Sequence, residues 1–379
     1  MARRKLRVCF RADASLSIGS GHVMRCLTLA GELRERGAEC RFICREHPGH
    51  LIDQIEARGF PVLRLPVFAE IHGRPQKSGI FPLTAHHEWL GNSPEQDAEE
   101  CARDLAASPV DWLIVDHYAL EAAWERALRP YCRQLMAIDD LADRPHQCEV
   151  LLDQNLGRSP GDYQPLLPTA SQILTGPQYA LLRPEFATWR AASLARREQA
   201  CAGDDRRLQL LINLGGVDRA NDSERILTAL TPEMLPPEAR ITVILGASAP
   251  WREAIEHRSK HLHWPCQVIV AANNMGELLS QADLAIGAAG SSTWERCCLG
   301  LPTLALILAD NQRGIAAALT AHTGLASAGT DLAASLRDFF RQLGSAGQRL
   351  AHSRRVAELV DGQGCRRVAD VLLAAGGNT

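Results

Sequence analysis

Short apolar runs, five of them ended directly by glycine or aspartate and most followed by a helical pattern, recur along the first half of the chain and start again in the second. In the first half they lie at 6–10, 39–44, 61–65, 112–115 and 135–138; in the second at 208–214, 241–245, 268–271, 283–286 and 302–308. Mainly apolar segments, of which only 39–44 alternates, separated by helical periods, imply parallel strands covered by helices on both faces. At 379 residues the chain exceeds what one core usually supports. The expected fold is therefore α/β: two Rossmann-like domains facing across a cleft, an N-terminal one over 1–180 and a C-terminal one over 200–379, with the polar stretch 198–206 near the junction.

In open parallel sheets ligands bind where strands end and helices begin. The first such place is Ile18-Gly19-Ser20-Gly21-His22-Val23-Met24-Arg25, a turn between the run 6–10 and a helix closed by Gly37. Gly19 and Gly21 let backbone approach a ligand, and His22 stands at the helix mouth, where an imidazole exchanges protons near neutral pH. The third glycine of the dinucleotide fingerprint is missing. Asp13 follows the same strand, and Asp116, His117, Asp139 and Asp140 follow two others to the same edge. Asp13 and Asp116 are the stronger site candidates, while Asp139 or Asp140 is expected to cap the segment that follows.

The second half repeats the arrangement. Gly215-Gly216 forms one turn, and Gly290-Ser291-Ser292-Thr293 opens a helix with three hydroxyls and free amides, a setting suited to a pyrophosphate. Glu295 can accept from two vicinal ribose hydroxyls, or close a capping box with the serines. Asn311 and Gln312 follow the last strand. A net charge of −3, from 41 basic and 44 acidic residues, provides no footprint for nucleic acid or an anionic membrane. An anion must then be held by local amides.

The basic start precedes only a five-residue apolar run, and the 12 cysteines form no C-x-x-C pairs. A cytoplasmic chain with reduced, buried thiols and no metal is expected. Residues 67–93, rich in proline and histidine, read as a long loop of the kind that forms lids.

The blocks Arg11-Ala12-Asp13-Ala14-Ser15, Gly19-Ser20-Gly21-His22-Val23-Met24-Arg25-Cys26, Val115-Asp116-His117-Tyr118 and Ile138-Asp139-Asp140-Leu141-Ala142 are joined by Gly215-Gly216-Val217-Asp218, Gly287-Ala288-Ala289-Gly290-Ser291-Ser292-Thr293-Trp294-Glu295 and Ala309-Asp310-Asn311-Gln312. Together they resemble the GT-B glycosyltransferase-like group, and within it the UDP-2,4-diacetamido-2,4,6-trideoxy-β-L-altropyranose hydrolase family of pseudaminic acid biosynthesis. The resemblance covers nearly the whole chain. The glycine and serine blocks are shared with the lipid II N-acetylglucosaminyltransferase, whereas the Gly-x-Gly-His-x-x-Arg opening discriminates.

The resemblance implies a metal-independent enzyme of pseudaminic acid biosynthesis, as used in flagellin glycosylation; a monomer without a cofactor is expected. Water attacks the anomeric carbon, UDP leaves and the sugar is released inverted, with His22 as the catalytic base. Asp13 is expected to orient His22 or the water, and Arg25 to touch the sugar or anchor the turn. Asp116 and Tyr118 are expected at the sugar, and Gly215, Gly216, Gly290, Ser291, Ser292, Thr293, Glu295, Asn311 and Gln312 at UDP. The alternatives are a UDP-sugar glycosyltransferase, a hydrolysing UDP-sugar 2-epimerase and a nucleotide-sugar binding protein without turnover. The proline-rich stretch 67–93 departs from the family's compact form.

Overall fold

The computed structural model of the chain describes residues 4–67, 81–202, 207–247 and 249–376. Residues 68–80, the middle of the expected lid, lie outside the described residues, as do 203–206 of the polar stretch. The chain forms two compact units, one of residues 1–181 with 364–379 and the other of 182–363.

In the first unit the strands are β1 (Arg7–Ala12), β2 (Glu39–Arg45), β3 (Val62–Leu65), β4 (Val110–Asp116), β5 (Cys132–Ile138), β6 (Val150–Asp153) and β7 (Gln172–Thr175). They form one parallel sheet in the order β3-β2-β1-β4-β5-β6-β7. The chain runs outward from β1 to β3 and returns to the other side of β1 at β4, so the order reverses between β1 and β4. Crossover helices then cover both faces, as right-handed connections demand. A crevice opens at such a reversal beyond the carboxyl ends of the strands.

The second unit repeats the plan with β8 (Gln209–Asn213), β9 (Arg240–Leu245), β10 (Cys266–Val270), β11 (Leu284–Ala288) and β12 (Thr303–Leu306), ordered β10-β9-β8-β11-β12. Its reversal lies between β8 and β11. The α/β reading thus holds, with β7 an additional strand that the weak pattern after Leu151 did not reveal.

The division differs from 1–180 and 200–379 at two places. The helix Pro184–Ala202 lies with the second unit, where buried Arg197 donates to the carbonyls of Ala282 at 2.9 Å and Leu299 at 3.2 Å. These carbonyls end two other helices, so the guanidinium satisfies acceptors that have no partner within a helix. The final helix, Gly364–Gly376, lies with the first unit. Its Cys365, Val368, Ala369 and Leu372 pack among Cys26, Leu29 and Leu33, and Trp112 Nε1 donates to the Leu372 carbonyl at 3.0 Å.

His352, on the helix Ala346–Ala357 of the second unit, is buried, and that burial together with Arg355 and His322 pushes its pKa down to about 4. The folded chain holds this ring neutral where the unfolded chain protonates it, so stability falls as pH drops from the ordinary histidine value of about 6.5 toward 4. The expected loss is about 3 kcal/mol. Denaturant titrations at pH 7 and pH 4 check this: His352→Gln should lose less stability on acidification than the parent, and equal losses would count against it.

Candidate functional site

Strand pleating sorts the polar ends of β1 and β4 into two groups. Ala12 lies opposite Asp116 in the ladder, and side chains alternate between faces. Val8, Phe10 and Ala12 pack with residues of the helix Gly21–Glu35, whereas Cys9, Leu113 and Val115 pack with Cys101 and Leu105 of the helix Pro94–Ala107. Asp116 and Tyr118 follow the first face; Arg11, Asp13 and His117 follow the second.

On the first face His22, in the opening turn of its helix, places Nδ1 3.1 Å from the Asp116 carbonyl oxygen and 3.3 Å from Asp116 Oδ1. Both oxygens only accept hydrogen bonds, so Nδ1 carries the proton and the neutral ring keeps its lone pair on Nε2. Arg25, one turn on, grips the same carboxylate in a fork, with Nε to Oδ2 at 2.6 Å and an Nη to Oδ1 at 2.7 Å. Its other Nη reaches Asp140 Oδ2 at 2.8 Å. Asp140 also accepts from Tyr118 Oη at 2.7 Å and from Asn155 Nδ2 at 2.8 Å. Burial opposes the charge on Asp140, but Arg25 and the Tyr118 hydroxyl hold its carboxyl below the usual range. Burial and Asp140 together push the Tyr118 phenol well up, so it serves as a fixed donor. Asp139 instead accepts from the amides of Leu141 at 3.3 Å and Ala142 at 2.9 Å and caps the turn after β5.

The second face corrects the expectation for Asp13. Its carboxylate is fully buried and accepts from Arg11 at 2.7 Å and from the Arg45 amide at 2.7 Å, with His117 Nε2 at 3.4 Å and His47 Nε2 at 3.8 Å. His22 takes its carboxylate from Asp116. Asp13 therefore supports the strand end and does not orient His22, because the pleat turns it to the other side of the sheet. His117 accepts from the Ala119 amide at Nδ1, at 3.0 Å, which leaves its Nε2–H facing Asp13.

Beneath Asp13, Asp97 receives Arg11 at 2.7 Å, Arg45 at 2.7 Å and Trp124 Nε1 at 3.0 Å. Arg25 likewise anchors the turn through carboxylates. Gly19 needs glycine for its φ of +82° and has open space around it, so conformation, and not a close contact, selects it. Gly21 begins the helix.

In the second unit Gly215-Gly216 follows β8, and the serine-rich turn follows its neighbour β11. A Cβ at Gly246 would stand 1.9 Å from the Gly216 carbonyl oxygen, so the loops after β8 and β9 are in direct backbone contact. The three hydroxyls divide. Thr293 is buried and bonded to the Ala288 carbonyl at 3.3 Å, Ser292 accepts from Arg296 at 2.9 Å, and Ser291 is exposed and makes no side-chain cap bond. The expectation of three hydroxyls open to a ligand thus narrows to Ser291 and, in part, Ser292.

Arg296 was not singled out from sequence. Its guanidinium lies behind this turn, donating to the Ala288 carbonyl at 2.6 Å, and burial pulls its pKa down to about 10, which still leaves a cation at neutral pH. Glu295, 20% exposed at its side chain, lies 3.7 Å from Arg183. Burial raises its pKa to about 7, although Arg183 and Arg296 oppose the rise. Gln312 accepts from the Leu308 amide at 2.9 Å through Oε1, which leaves its Nε2 3.5 Å from where a Gly290 Cβ would stand. Asn311 is the N-cap residue of the helix Gln312–Thr323. Among the described residues no group of three or more His, Cys, Asp or Glu is disposed to hold a metal ion, and no helix is long and apolar enough to cross a membrane.

No protein-family model matches the chain. It is 25% identical over 312 residues to the UDP-2,4-diacetamido-2,4,6-trideoxy-beta-L-altropyranose hydrolase of Campylobacter jejuni, a match covering 82% of this chain and 95% of that protein. It is 29% identical over 212 residues to the spore coat polysaccharide biosynthesis protein SpsG of Bacillus subtilis, covering 53% of this chain and 58% of that one. Among solved structures, MurG of Acinetobacter baumannii superposes with a TM-score of 0.69 at 17% identity, over 98% of this chain and 100% of that one. The fold is therefore that of the GT-B glycosyltransferase-like group, and the sequence is similar to that of a sugar-nucleotide hydrolase.

Proposed function

We propose that the protein hydrolyses a UDP-activated diacetamido-trideoxy sugar, the class named for its Campylobacter relative, with His22 as the base. Water gives its proton to His22 Nε2 as its oxygen bonds to the anomeric carbon. The bond from that carbon to the UDP oxygen breaks, and the sugar leaves inverted. The observation that carries this reading is the pair of acceptors at His22 Nδ1, the Asp116 carbonyl at 3.1 Å and Oδ1 at 3.3 Å, from which a proton on Nδ1 and a basic Nε2 follow. A buried carboxylate behind the ring also stabilises the imidazolium that forms. Arg25 and Asp140 keep Asp116 and Tyr118 in place around it.

UDP is proposed to rest on the second unit, its diphosphate at the exposed Ser291 where the helix Ser292–Cys298 opens and its ribose on Glu295. UDP is a good leaving group, so stabilisation of its charge by backbone amides and Arg296 replaces a general acid. Incubation with UDP-sugars in the absence of any acceptor tests the reaction. Release of UDP and reducing sugar supports hydrolysis; turnover that requires an acceptor would make the chain a transferase, and binding without turnover a sensor.

Glu295 accepts from both vicinal hydroxyls at once only as a carboxylate, because protonation turns one of its oxygens into a donor. With its pKa near 7, UDP affinity should rise as pH climbs from 6 to 8 and a proton should leave on binding. Isothermal titration in buffers of different ionisation heat reads both effects. Glu295→Gln should bind UDP more weakly and without that pH slope, and an unchanged slope would reject the ribose assignment.

A further inference from the structure

We propose that Trp89 and His86 form a wall of the sugar site and select sugars with apolar substituents. The inference rests on the reading of His22 as the base beside a sugar nucleotide.

Tyr118 is the hub of a ring cluster. His22 meets it edge-on with centroids 4.6 Å apart, His86 lies at 5.3 Å, and Trp89 lies nearly parallel to it at 5.7 Å. His86 and Trp89 touch each other at 4.6 Å, and the Arg144 guanidinium stands 5.7 Å from the Tyr118 ring. Tyr118 cannot swing, because its hydroxyl is held by Asp140 at 2.7 Å. Tyr118 and His22 are almost wholly buried, whereas His86 and Trp89 are half-buried, so in this cluster the accessible aromatic surface belongs to those two rings.

The segment that carries them is firmly held. A short 3₁₀ turn, His87–Leu90, is closed by the Trp89 amide donating to the His86 carbonyl at 2.9 Å, and Leu90 is fully buried. Gly91 follows with φ +66°, and a Cβ there would stand 2.6 Å from His47 Cε1, so the backbone lies directly on that ring. Ser93 then caps the helix Pro94–Ala107 by accepting from Gln96, and Glu100 of that helix binds Arg45 at 2.7 Å. Rings mounted on such a support act as a fixed wall, the kind of rigid anchor that discriminates ligands.

Aromatic faces favour polarised C–H groups, which deoxy carbons and acetamido methyls present and hydroxyl-rich sugars present less. Burial holds His86 below the usual histidine range, so its neutral ring offers one donor and one acceptor, the complement of an acetamido group.

Binding separates this from the base assignment. In a His22→Ala background, which holds substrate without turnover, UDP and UDP-2,4-diacetamido-2,4,6-trideoxy-β-L-altropyranose are titrated calorimetrically. Adding Trp89→Ala should weaken the sugar nucleotide about ten-fold and leave UDP within about two-fold, as loss of one aromatic contact predicts. Trp89→Phe should restore most of the loss, and His86→Ala should cost about three-fold for the sugar nucleotide alone. Equal weakening of both ligands, or of neither, overturns the proposal. If His22 is not the base, the result is different: turnover persists in His22→Ala while the Trp89 binding effect stands.

Discussion

His22→Ala is expected to lower UDP-sugar hydrolysis by about 10²–10⁴-fold, the range general-base removal produces, while UDP affinity stays within about two-fold. The effect is large because neither carboxylate beside His22 is free to take its place. Asp116 is locked to Arg25 in a fork, and Asp140 is bonded to Arg25, Tyr118 and Asn155. Each of these carboxylates is already bonded to donors. Steady-state rates with the variant, together with a UDP titration, decide the matter. A loss of UDP affinity comparable to the loss of rate would mean that the side chain only supports the nucleotide site.

Asp97→Ala is expected to destabilise the first unit by about 3–5 kcal/mol, the cost of breaking a buried ion cluster from one side. Asp97 is wholly buried, and it receives Arg11, Arg45 and the Trp124 indole at 3.0 Å or closer, apart from a second Arg11 contact at 3.2 Å. Its carboxyl lies below the usual range because Arg11 and Arg45 outweigh the opposing effect of burial. Without it, two guanidiniums remain in the interior with Asp13 and Glu100 as their remaining carboxylates, and the indole N–H loses its acceptor. A unit of this size loses roughly 2–4 °C per kcal/mol, so the thermal midpoint should fall by about 10 °C. A shift under about 3 °C would show that the cluster is replaceable. His22→Ala should lower the midpoint by less than Asp97→Ala while costing far more activity, so the two variants separate chemistry from scaffold.

Asp13 and His22 were grouped because both follow β1, yet they lie on opposite faces. The period-two alternation through Cys9, Arg11 and Asp13 carried that information, and counting along the strand would have turned Asp13 toward the helix Pro94–Ala107. Trp89 had no comparable signal. It stands in a proline- and glycine-rich stretch with no sustained period, and its meaning comes from a ring 29 positions later, Tyr118. Arg296 was hidden for a different reason: a charged residue on a short helix reads as solvent-facing, whereas here it is buried and bonded to Ala288 and Ser292.

Local sequence was enough for what depends on neighbours along the chain: the β-α alternation, the glycine turns at the strand ends, the histidine at the helix mouth and the cap formed by one of the paired aspartates after β5. Hydrophobic periodicity and turn chemistry act over a few residues, so they are written within a few residues. Tertiary structure alone decided which carboxylate serves His22, which hydroxyls of the serine turn are spent on the protein, and that the last helix returns to the first unit to pack on Cys26 and Leu29. Those outcomes depend on which apolar faces meet and which buried donors find acceptors: the pairings at His22 and at the last helix join residues about 90 to more than 300 positions apart, and those of the serine turn, though only three to five positions apart, follow from the burial of Arg296.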